Sequence, residues 1–461
     1  MSGTRPKIQL ELAFPTEDPG EAVRADREGT EPSTANRMPQ SPVSNIPLME
    51  KICERENLIN AWDRVRSNAG APGVDGLTIE QTEKHLRTHW PSIREQLLQG
   101  TYQPQPVRRV EIPKPDGGVR LLGIPIVLDR LIQQAILQVL SPQWDPTFSE
   151  SSFGFRPNRS AHQAIAQAQT FISEGNAWVV DIDLEKFFDR VNHDILMSRV
   201  ARRVSDKRLL KLVRAYLSAG VMEDGVVSRS DEGTPQGGPL SPLLSNLLLD
   251  DLDKELERRG HKFCRYADDC NIYVQTERAG KRVMESVTRF LTKRLRLKVN
   301  ASKSAVGRPQ DRKFLGFRFT AGEEPKRAIA PKALDRFKER IRELTNRHRG
   351  NSFGLVVVRL HSYLNGWGGY FGFCQTPSVL RELDSWIRRR LRALLWSQWK
   401  TWRNRKRMLH SLGVPLGRAA QAAAASRGPW AMATHPAVNK ALPIKYFTDL
   451  GLPQLTGLLR T

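Results

Sequence analysis

Two adjacent aspartates, Asp268 and Asp269, lie in the sequence Tyr266-Ala267-Asp268-Asp269, between two segments rich in β-branched and aromatic residues. This pattern predicts a β-hairpin that carries both carboxylates at its tip. Neighbouring carboxylates repel each other unless a cation lies between them, so the pair indicates a metal site. Mg²⁺ fits such a site, because it prefers oxygen ligands and is usually bound by one or two carboxylates together with phosphate.

A second acidic segment lies upstream, where an apolar run beginning at Trp178 becomes polar. Four acids there could supply a third carboxylate: Asp181, Asp183, Glu185 and Asp189. On a strand, Asp181 and Asp183 would share a face. Two Mg²⁺ ions about 4 Å apart on such carboxylates can activate a 3′-hydroxyl and stabilise a pyrophosphate leaving group, which is polymerase chemistry. An isolated Asp-Asp pair is usually a solvated turn, but the flanking strands and the second acidic segment favour the catalytic interpretation.

The composition indicates a polyanionic partner. The 461 residues have a net charge of +23, and the isoelectric point is near 10.2. So large a basic excess points most simply to nucleic acid. No apolar run approaches the roughly 20 residues of a spanning helix, and Met1 is not followed by the apolar core of a signal peptide, so we expect no membrane partner. The cysteines form no Cys-x-x-Cys pair, which argues against zinc and disulfides and favours a reducing compartment.

Hydrophobic periodicity, together with Pro and Gly residues that interrupt helices and strands, predicts the order of the secondary-structure elements. Residues 1–46 are rich in Pro, Glu, Thr and Ser and predict a disordered lead. The remaining predicted elements, in chain order, are helices over about 48–67, 78–98 and 129–140, the acidic strand, a helix over 194–218, a buried helix after a Pro/Gly loop at 233–242, and helices after Pro331, over 353–370 and over 378–407.

Two of the predicted loops contain residues suited to a nucleotide. A hairpin that turns at 116–118 carries Lys114 and Arg120, which could bind a triphosphate, Arg bidentately and Lys as a point charge. Taken alone, exposed charges on a hairpin are common. In the Pro/Gly loop, glycines allow close backbone approach to a ligand, and Gln236 could contact a nucleotide there.

The helix over 378–407 alternates arginines with four tryptophans, Trp386, Trp396, Trp399 and Trp402. We expect the tryptophans in a core and the cations facing a phosphate backbone. The candidate nucleic-acid contacts are Arg388, Arg389, Arg392, Arg403, Arg405, Lys406 and Arg407.

Several ordered motifs resemble the group II intron-encoded reverse transcriptase and maturase family, over about residues 50–410. The motifs are Ala71-Pro72-Gly73-Val74-Asp75-Gly76, the hairpin over 112–125, Phe153-Gly154-Phe155-Arg156-Pro157, the segments over 183–189 and 234–242, Tyr266-Ala267-Asp268-Asp269, Phe314-Leu315-Gly316-Phe317 and the segment over 363–371. The resemblance implies an α+β, right-hand polymerase with fingers, a palm built on an antiparallel sheet, and an α-helical thumb or maturase domain. The implied divisions are a lead over 1–46, fingers over 47–178, a palm over 179–325, a thumb over 328–410 and a short, possibly DNA-binding segment over 411–461.

The resemblance also implies roles for individual residues. The metal carboxylates carry over to Asp183, Asp268 and Asp269, and Asp183 is preferred to Asp181 because it precedes the paired aromatics by four and five residues. The implied dNTP contacts are Lys114, Arg120, Phe188, Gln236 and Lys303. Phe188 matches the position that screens against a ribose 2′-hydroxyl, with Phe187 as the neighbour that could be confused with it.

The family resemblance implies RNA-directed DNA synthesis on intron RNA during retrohoming, and a maturase role in splicing that RNA. The expected partners are intron RNA, an RNA template with a DNA primer, target DNA and dNTPs, with two Mg²⁺ ions or Mn²⁺ as substitute. We expect a monomer or a dimer on RNA, in the bacterial cytoplasm and on the nucleoid when it acts on DNA. The tail over 411–461 lacks the cysteines and the length of the family's His-Asn-His endonuclease domain, so we expect no second-strand cleavage.

Three alternatives remain at this stage. One is a splicing chaperone without polymerase activity, against which the intact aspartates argue. Another is a domesticated or defence-related reverse transcriptase; the helical maturase-like segment speaks only against the retron type. The third is a viral RNA-dependent RNA polymerase, which Phe188 at the sugar-screening position disfavours.

Overall fold

The computed structural model describes residues 47–459, apart from 114–117, 224–225, 229–232, 234–236 and 348–349. The predicted lead over residues 1–46 lies outside the described residues, as do Lys114 and Gln236. For Arg120 the description covers the backbone alone.

The described chain is mainly helical, with short strands between residues 107 and 329. The helices are α1 (Leu48–Ile52), α2 (Arg55–Ser67), α3 (Ile79–Gln99), α4 (Val127–Trp144), α5 (Ala161–Ser173), α6 (His193–Ala201), α7 (Lys207–Ser218), α8 (Ser241–Arg258), α9 (Glu277–Phe290), α10 (Pro331–Leu344), α11 (Phe353–Phe371), α12 (Pro377–Gln398), α13 (Trp402–Ser411), α14 (Leu416–Ala424), α15 (Pro429–Met432), α16 (Pro436–Ala441) and α17 (Ile444–Asp449). The strands are β1 (Val107–Pro113), β2 (Val119–Ile124), β3 (Trp178–Ile182), β4 (Val221–Glu223), β5 (Val226–Ser228), β6 (Lys262–Tyr266), β7 (Asp269–Val274), β8 (Ala305–Gly307), β9 (Phe317–Phe319) and β10 (Arg327–Ile329). None of the described helices is long and apolar enough to cross a membrane.

The N-terminal part packs its helices around α4, which is buried along most of its length. Helix α3 begins at a capping box, in which Thr78 Oγ1 accepts from the Gln81 amide and the Gln81 side chain accepts from the Thr78 amide. Strands β1 and β2 form the predicted hairpin, with Ile112 opposite Arg120. Strand β4 extends it by pairing in parallel with β1.

A four-stranded antiparallel sheet, here called the acidic sheet, has the strand order β6-β7-β3-β8. Both of its faces are buried. Val180 and Ile272 belong to the core that includes α4, α8 and α9, whereas Val179 and Tyr273 belong to a second core with α5 and the C-terminal helices. Because side chains alternate along a strand, one sheet contributes to both cores.

The C-terminal helices and the tail share this second core. Phe447 and Leu455 of the tail are almost completely buried in it. Asp384 of α12 accepts hydrogen bonds from the amides of Leu455 (2.9 Å) and Thr456 (3.2 Å). Residues 411–459 therefore pack with the segment over 328–410 as one body, across the predicted division at residue 410.

Three helices predicted as continuous are each two helices. The segment over 48–67 is divided into α1 and α2. The segment over 194–218 is divided into α6 and α7, because Asp206 caps α7 by accepting from the Arg208 amide (3.0 Å). The segment over 378–407 is divided into α12 and α13. Lys400 there has φ 47°, and Thr401 caps α13 by accepting from the Asn404 amide (3.3 Å). In the latter two segments an N-cap begins a new helix where the hydrophobic period alone would continue the first one.

The tail packs against the end of α11, so substitutions at Gly372 and Gly366 should have different effects on stability. A Cβ at Gly372 would overlap the Leu458 carbonyl oxygen, whereas a Cβ at Gly366 would meet nothing within 4 Å. We expect Gly372→Ala to lower the free energy of unfolding by about 1–3 kcal/mol through overpacking. The matched change Gly366→Ala should be neutral or stabilise by about 0.4–1 kcal/mol. Urea unfolding of both variants measures this, and equal effects would contradict the described packing of the tail.

Candidate active site

The register of the acidic sheet brings the two acidic segments together. Ile182, the last residue of β3, is paired with Cys270, so Asp183 follows β3 at the level of Asp269. Tyr266 is paired with Asp269 across a two-residue turn, and Asp268 lies in that turn. The predicted hairpin with both carboxylates at its tip is confirmed, and Asp183 is brought to the same end of the sheet.

The backbone of Asp183 is held by the loop that precedes β8. Its amide donates to Ser304 Oγ (3.0 Å), and its carbonyl accepts from the Asn300 amide (2.9 Å). The same loop places Lys303 Nζ 3.5 Å from Asp183 Oδ2. Lys303, predicted near the triphosphate, thus lies beside one of the predicted metal carboxylates.

Two of the competing acids of this segment, Asp181 and Glu185, already have cationic partners. Asp181 accepts from Arg312 Nη2 at 2.6 Å, and Glu185 accepts from Arg190 (2.8 Å) and Lys298 (3.0 Å). Burial raises the pKa of Asp181, and the pair with Arg312 partly offsets that rise. These ion pairs support the choice of Asp183 over Asp181.

Negative charge accumulates around Asp269. Burial of its carboxyl, followed by the charges of Asp268, Asp183 and Asp181, raises the pKa of Asp269 to about 7, although the residue as a whole is exposed. A divalent cation would remove this repulsion and would be bound by oxygen ligands, so the residues fit a metal. Among the described residues no three acidic, histidine or cysteine side chains already converge at ligand spacing. The carboxylates would therefore have to turn toward an ion.

The paired aromatics have different surroundings. Phe187 is 3% exposed and belongs to the first core, whereas Phe188 lines a cleft together with Asp268. The cleft is also lined by Val65, Asn68, Leu122, Arg130, Gln134, Leu137, Phe155, Gly237, Gly238, Pro239, Ser241 and Pro242. This placement supports Phe188, not Phe187, as the residue that faces a nucleotide sugar.

The cleft also joins the hairpin to the Pro/Gly loop. A Cβ at Gly237 (φ 138°) would lie 2.6 Å from the Gly123 carbonyl oxygen of β2. The segment that follows Gln236 therefore touches the strand that contains Arg120. This close approach explains the glycine, because a side chain would separate the loop from the strand.

Sequence reasoning missed Arg130, which lines the same cleft. Its Nη2 donates to the Ala71 carbonyl at 2.6 Å, and a Cβ at Gly70 would overlap its guanidinium. A Cβ at Gly73 would lie 2.6 Å from the Ile126 Cα, next to the start of α4. The glycine-rich loop before Asp75 was the available signal, since its glycines permit this contact with α4.

The predicted nucleic-acid contacts of α12 and α13 divide into packed and exposed groups. Arg389 lies 4.1 Å from the Trp430 ring centroid, Arg405 lies 4.7 Å from that of Trp396, and Arg392 donates to the Leu442 carbonyl (3.0 Å). Arg388 and Lys406 are partly buried, whereas Arg403 and Arg407 are exposed. The expectation of a uniformly outward arginine face is wrong, because guanidinium groups stack on the aromatic rings of this unit.

Of the four tryptophans predicted for the core, Trp396 and Trp399 are buried there. Trp386 is partly buried and packs between Arg342 and Arg390. Trp402 is 53% exposed at the start of α13. The core prediction therefore holds for the two tryptophans near the end of α12.

Comparisons with known proteins agree with this geometry. A reverse transcriptase (RNA-dependent DNA polymerase) family model matches residues 112–319, and a group II intron maturase-specific domain matches residues 334–413. Protein YkfC of Escherichia coli (strain K12) is 35% identical over 312 residues, which are 59% of this chain and 82% of that protein. The chain belongs to the group II intron reverse transcriptase and maturase family. The resemblance inferred from the motifs is confirmed.

Other members and neighbours match over shorter stretches. Group II intron-encoded protein LtrA of Lactococcus lactis subsp. cremoris is 36% identical over 206 residues, which are 44% of this chain and 34% of LtrA. A solved partial Cas6-RT-Cas1–Cas2 complex is similar at 25% identity and a TM-score of 0.36, covering 56% of this chain and 45% of that chain. The chain thus spans most of YkfC and about a third of LtrA. Reverse transcriptases generally use divalent metal ions, and the maturase domain implies binding to intron RNA.

The different surroundings of Phe187 and Phe188 predict different phenotypes. Phe188→Ala should raise incorporation of ribonucleotides relative to deoxyribonucleotides by about tenfold, since relief of a clash worth about 1.4 kcal/mol changes a rate ratio tenfold. Phe187→Ala should instead lower the free energy of unfolding by about 3–5 kcal/mol. Single-nucleotide incorporation and urea unfolding measure the two effects. A loss of sugar selectivity in Phe187→Ala alone would show that the residues have the opposite roles.

Proposed function

We propose that this protein is an RNA-directed DNA polymerase that copies group II intron RNA during retrohoming, and a maturase that binds this RNA to assist its splicing. One observation supports the polymerase role above all. The sheet register sets Asp183 beside the turn that bears Asp268 and Asp269, next to a cleft lined by Phe188. A chain that belongs to this family and keeps these carboxylates together has the groups that DNA synthesis requires.

The right-hand division follows the packing described above. The helices around α4 and the hairpin of β1 and β2 serve as fingers, over 47–178. The acidic sheet with α8 and α9 serves as the palm, over 179–325. The C-terminal helices serve as the thumb and maturase domain over 328–410, to which the segment over 411–459 adds a packed extension.

In the reaction, the 3′-oxygen of the primer attacks the α-phosphorus of a dNTP in line, and the bond to pyrophosphate breaks. Asp183, Asp268 and Asp269 would hold two Mg²⁺ ions, or Mn²⁺ in their place. When bound, these ions would activate the 3′-oxygen and neutralise the departing pyrophosphate. The pKa of Asp269 is raised to about 7. A bound cation would lower this pKa and so stabilise the ionised carboxylate.

Further residues are proposed to position the nucleotide. Lys114, Arg120 and Lys303 bind the triphosphate, and Gln236 contacts the nucleotide. Phe188 excludes a ribose 2′-hydroxyl by occupying its space. The exclusion of ribonucleotides separates this proposal from an RNA-dependent RNA polymerase, which would require an open position here.

The maturase role rests on the basic C-terminal unit. Exposed cations of α13 reach a phosphate backbone, while the packed arginines shape the surface that presents them. The structured RNA performs the splicing chemistry, and the protein supplies binding energy for its active fold. We place this action in the bacterial cytoplasm, and on the nucleoid when target DNA is bound.

Primer extension on an RNA template tests the polymerase role. We expect DNA product from dNTPs with Mg²⁺ in the wild type. Asp183→Asn, and the double change of Asp268 and Asp269 to Asn, should reduce the rate by about 10³-fold, because several kcal/mol of transition-state stabilisation are lost. Asp181→Asn should keep most of the activity, since Asp181 is paired with Arg312.

The outcomes of this assay separate the alternatives. Synthesis that survives in the double variant would show that the carboxylates are wrongly assigned. RNA product from ribonucleotides would indicate an RNA polymerase. No product from the wild type, together with tight binding to intron RNA, would leave a splicing chaperone.

The division of the C-terminal cations predicts separable effects on RNA binding and stability. The double change of Arg403 and Arg407 to Gln should weaken intron RNA binding and make the slope of log K against log salt shallower by about 1.4, or 0.7 per phosphate contact. Arg392→Gln should instead lower the thermal unfolding temperature, because it removes a hydrogen bond to the Leu442 carbonyl. Filter binding across a salt series and thermal denaturation measure both. A slope unchanged by the double variant would exclude these contacts.

A further inference from the structure

An arginine is completely buried beside the turn that bears Asp268 and Asp269. Arg265, near the end of β6, has 0% of its surface exposed. All five N–H groups of its guanidinium donate hydrogen bonds, which is the full capacity of the group. The bonds are Nε to Asp253 Oδ1 (2.7 Å), Nη1 to Asn246 Oδ1 (3.0 Å) and to the Ala267 carbonyl (2.9 Å), and Nη2 to Ser152 Oγ (2.7 Å) and Asp253 Oδ2 (2.5 Å).

These acceptors come from three separate parts of the chain. Asp253 and Asn246 belong to α8, Ser152 belongs to the loop before α5, and Ala267 is in the turn itself. All three of the acceptor side chains are buried. A buried ion pair is weak evidence for stability, because an apolar pair of similar volume often stabilises a core as well. The network has a specific geometric effect, since it connects one carbonyl of the turn to two rigid elements.

The loop over 151–154 holds the turn from a second side. The Arg265 amide donates to the Ser151 carbonyl (2.8 Å), and the Phe153 amide donates to the Arg265 carbonyl (2.9 Å). A Cβ at Gly154 would overlap the Ala267 amide nitrogen, so the loop lies directly against the turn. Asn246 Nδ2 donates to the Gly154 carbonyl at 2.8 Å, which connects this contact to the same network.

The loop itself is internally braced. Arg156, also buried, donates to the carbonyls of Ser149 (2.5 Å) and Ser152 (2.8 Å) and to Asp145 (2.7 Å). These hydrogen bonds fix the position of the loop independently of its contact with the turn. Of the Phe153-Gly154-Phe155-Arg156-Pro157 motif, these contacts account for Phe153, Gly154 and Arg156, whereas Phe155 lines the cleft.

The turn needs such support. Ala267 has φ 57°, a left-handed conformation that costs a residue with a Cβ about 1–3 kcal/mol and persists where the surroundings enforce it. The two carboxylates that follow it repel each other and the charge of Asp183. Without an anchor at the Ala267 carbonyl, the turn could relax and separate the carboxylates.

We propose that Arg265 is a positioning residue, which anchors the Ala267 carbonyl and thereby holds Asp268 and Asp269 where both can bind one metal centre. Asp253, Asn246 and Ser152 orient its guanidinium. The inference rests on the proposed polymerase function for its catalytic consequence, but its effect on metal binding can be measured without any reaction. Groups that orient metal ligands typically change metal affinity by about 10–100-fold when they are altered.

Arg265→Lys is the informative substitution. It keeps a positive charge opposite Asp253, but an ammonium group cannot reach acceptors on three elements in the fixed directions of a guanidinium. Arg203→Lys is the matched control. Arg203 also pairs with an aspartate of α8, with Nη2 3.0 Å from Asp250 Oδ2, and its other hydrogen bond goes to Thr147, far from the turn in the chain. Asn246→Ala is a second, milder variant, which leaves the pair of Arg265 and Asp253 intact.

The experiment titrates each full-length protein with Mn²⁺ alone and follows free Mn²⁺ by electron paramagnetic resonance. The doubly substituted Asp268 and Asp269 variant serves as the baseline. We expect Arg265→Lys to weaken Mn²⁺ binding by about 10–100-fold, Asn246→Ala to weaken it less, and Arg203→Lys to leave it within about twofold. In primer extension, Arg265→Lys should lower kcat by about 10²-fold while the affinity for RNA stays unchanged.

Each outcome decides between positioning and a merely structural role. Equal Mn²⁺ affinity in the wild type and Arg265→Lys would overturn the inference, as would equal losses in Arg265→Lys and Arg203→Lys. If Arg265→Lys does not fold, the same comparison applies to Asn246→Ala. Binding retained by the baseline variant would also overturn it, because the ion would then lie elsewhere. A wild type that binds Mn²⁺ in the predicted pattern but makes no DNA would refute the polymerase proposal and leave the positioning role standing.

Discussion

Three carboxylates held at one end of a sheet are the constraint on which the rest of this structure depends. Burial of the Asp269 carboxyl, together with repulsion from the neighbouring carboxylates, raises the pKa of Asp269 to about 7, so the arrangement is costly unless other parts of the fold enforce it. The register of β3 against β7 fixes the backbone positions. Lys303 and Arg312 supply nearby positive charge, and the buried guanidinium of Arg265 holds the turn.

The acidic sheet can impose this geometry because both of its faces are covered. One face packs with α8 and α9, and the other packs with α5 and the C-terminal helices. Displacing a strand by one residue would exchange the two cores, which strongly disfavours any other register. The same two-sided burial joins the cleft lined by Phe188 to the basic C-terminal unit, because both pack with the acidic sheet.

Sequence patterns predicted the parts of the site that obey local rules. The β-branched and aromatic residues around Asp268 identified the hairpin. The second acidic segment offered four acids, of which the family resemblance selected Asp183. The same patterns could not show which of Phe187 and Phe188 is buried and which lines the cleft, because that depends on tertiary packing. Arg265 looks like an ordinary strand residue in the sequence. The side chains that accept from its guanidinium, those of Asp253, Asn246 and Ser152, lie 12, 19 and 113 positions away.

Periodicity also could not predict where helices begin and end, or which cations pack on aromatic rings. Asp206 and Thr401 begin new helices as N-caps, although the apolar period continues through both points. Arg389 and Arg405 lie over aromatic rings that approach from other helices or other turns, and a sequence scan cannot distinguish them from exposed neighbours such as Arg403. Residues 411–459 were predicted as a separate segment, whereas in the structure they complete the second core.

The packing of the tail has a consequence for the order of events during synthesis. The core around α11 and α12 includes Leu455 and Leu458, which come near the end of the described chain. The N-terminal helices and one face of the acidic sheet share the first core, which can assemble while translation continues. The C-terminal unit can close only after Leu458 has left the ribosome, so the other face of the acidic sheet is the last to be covered.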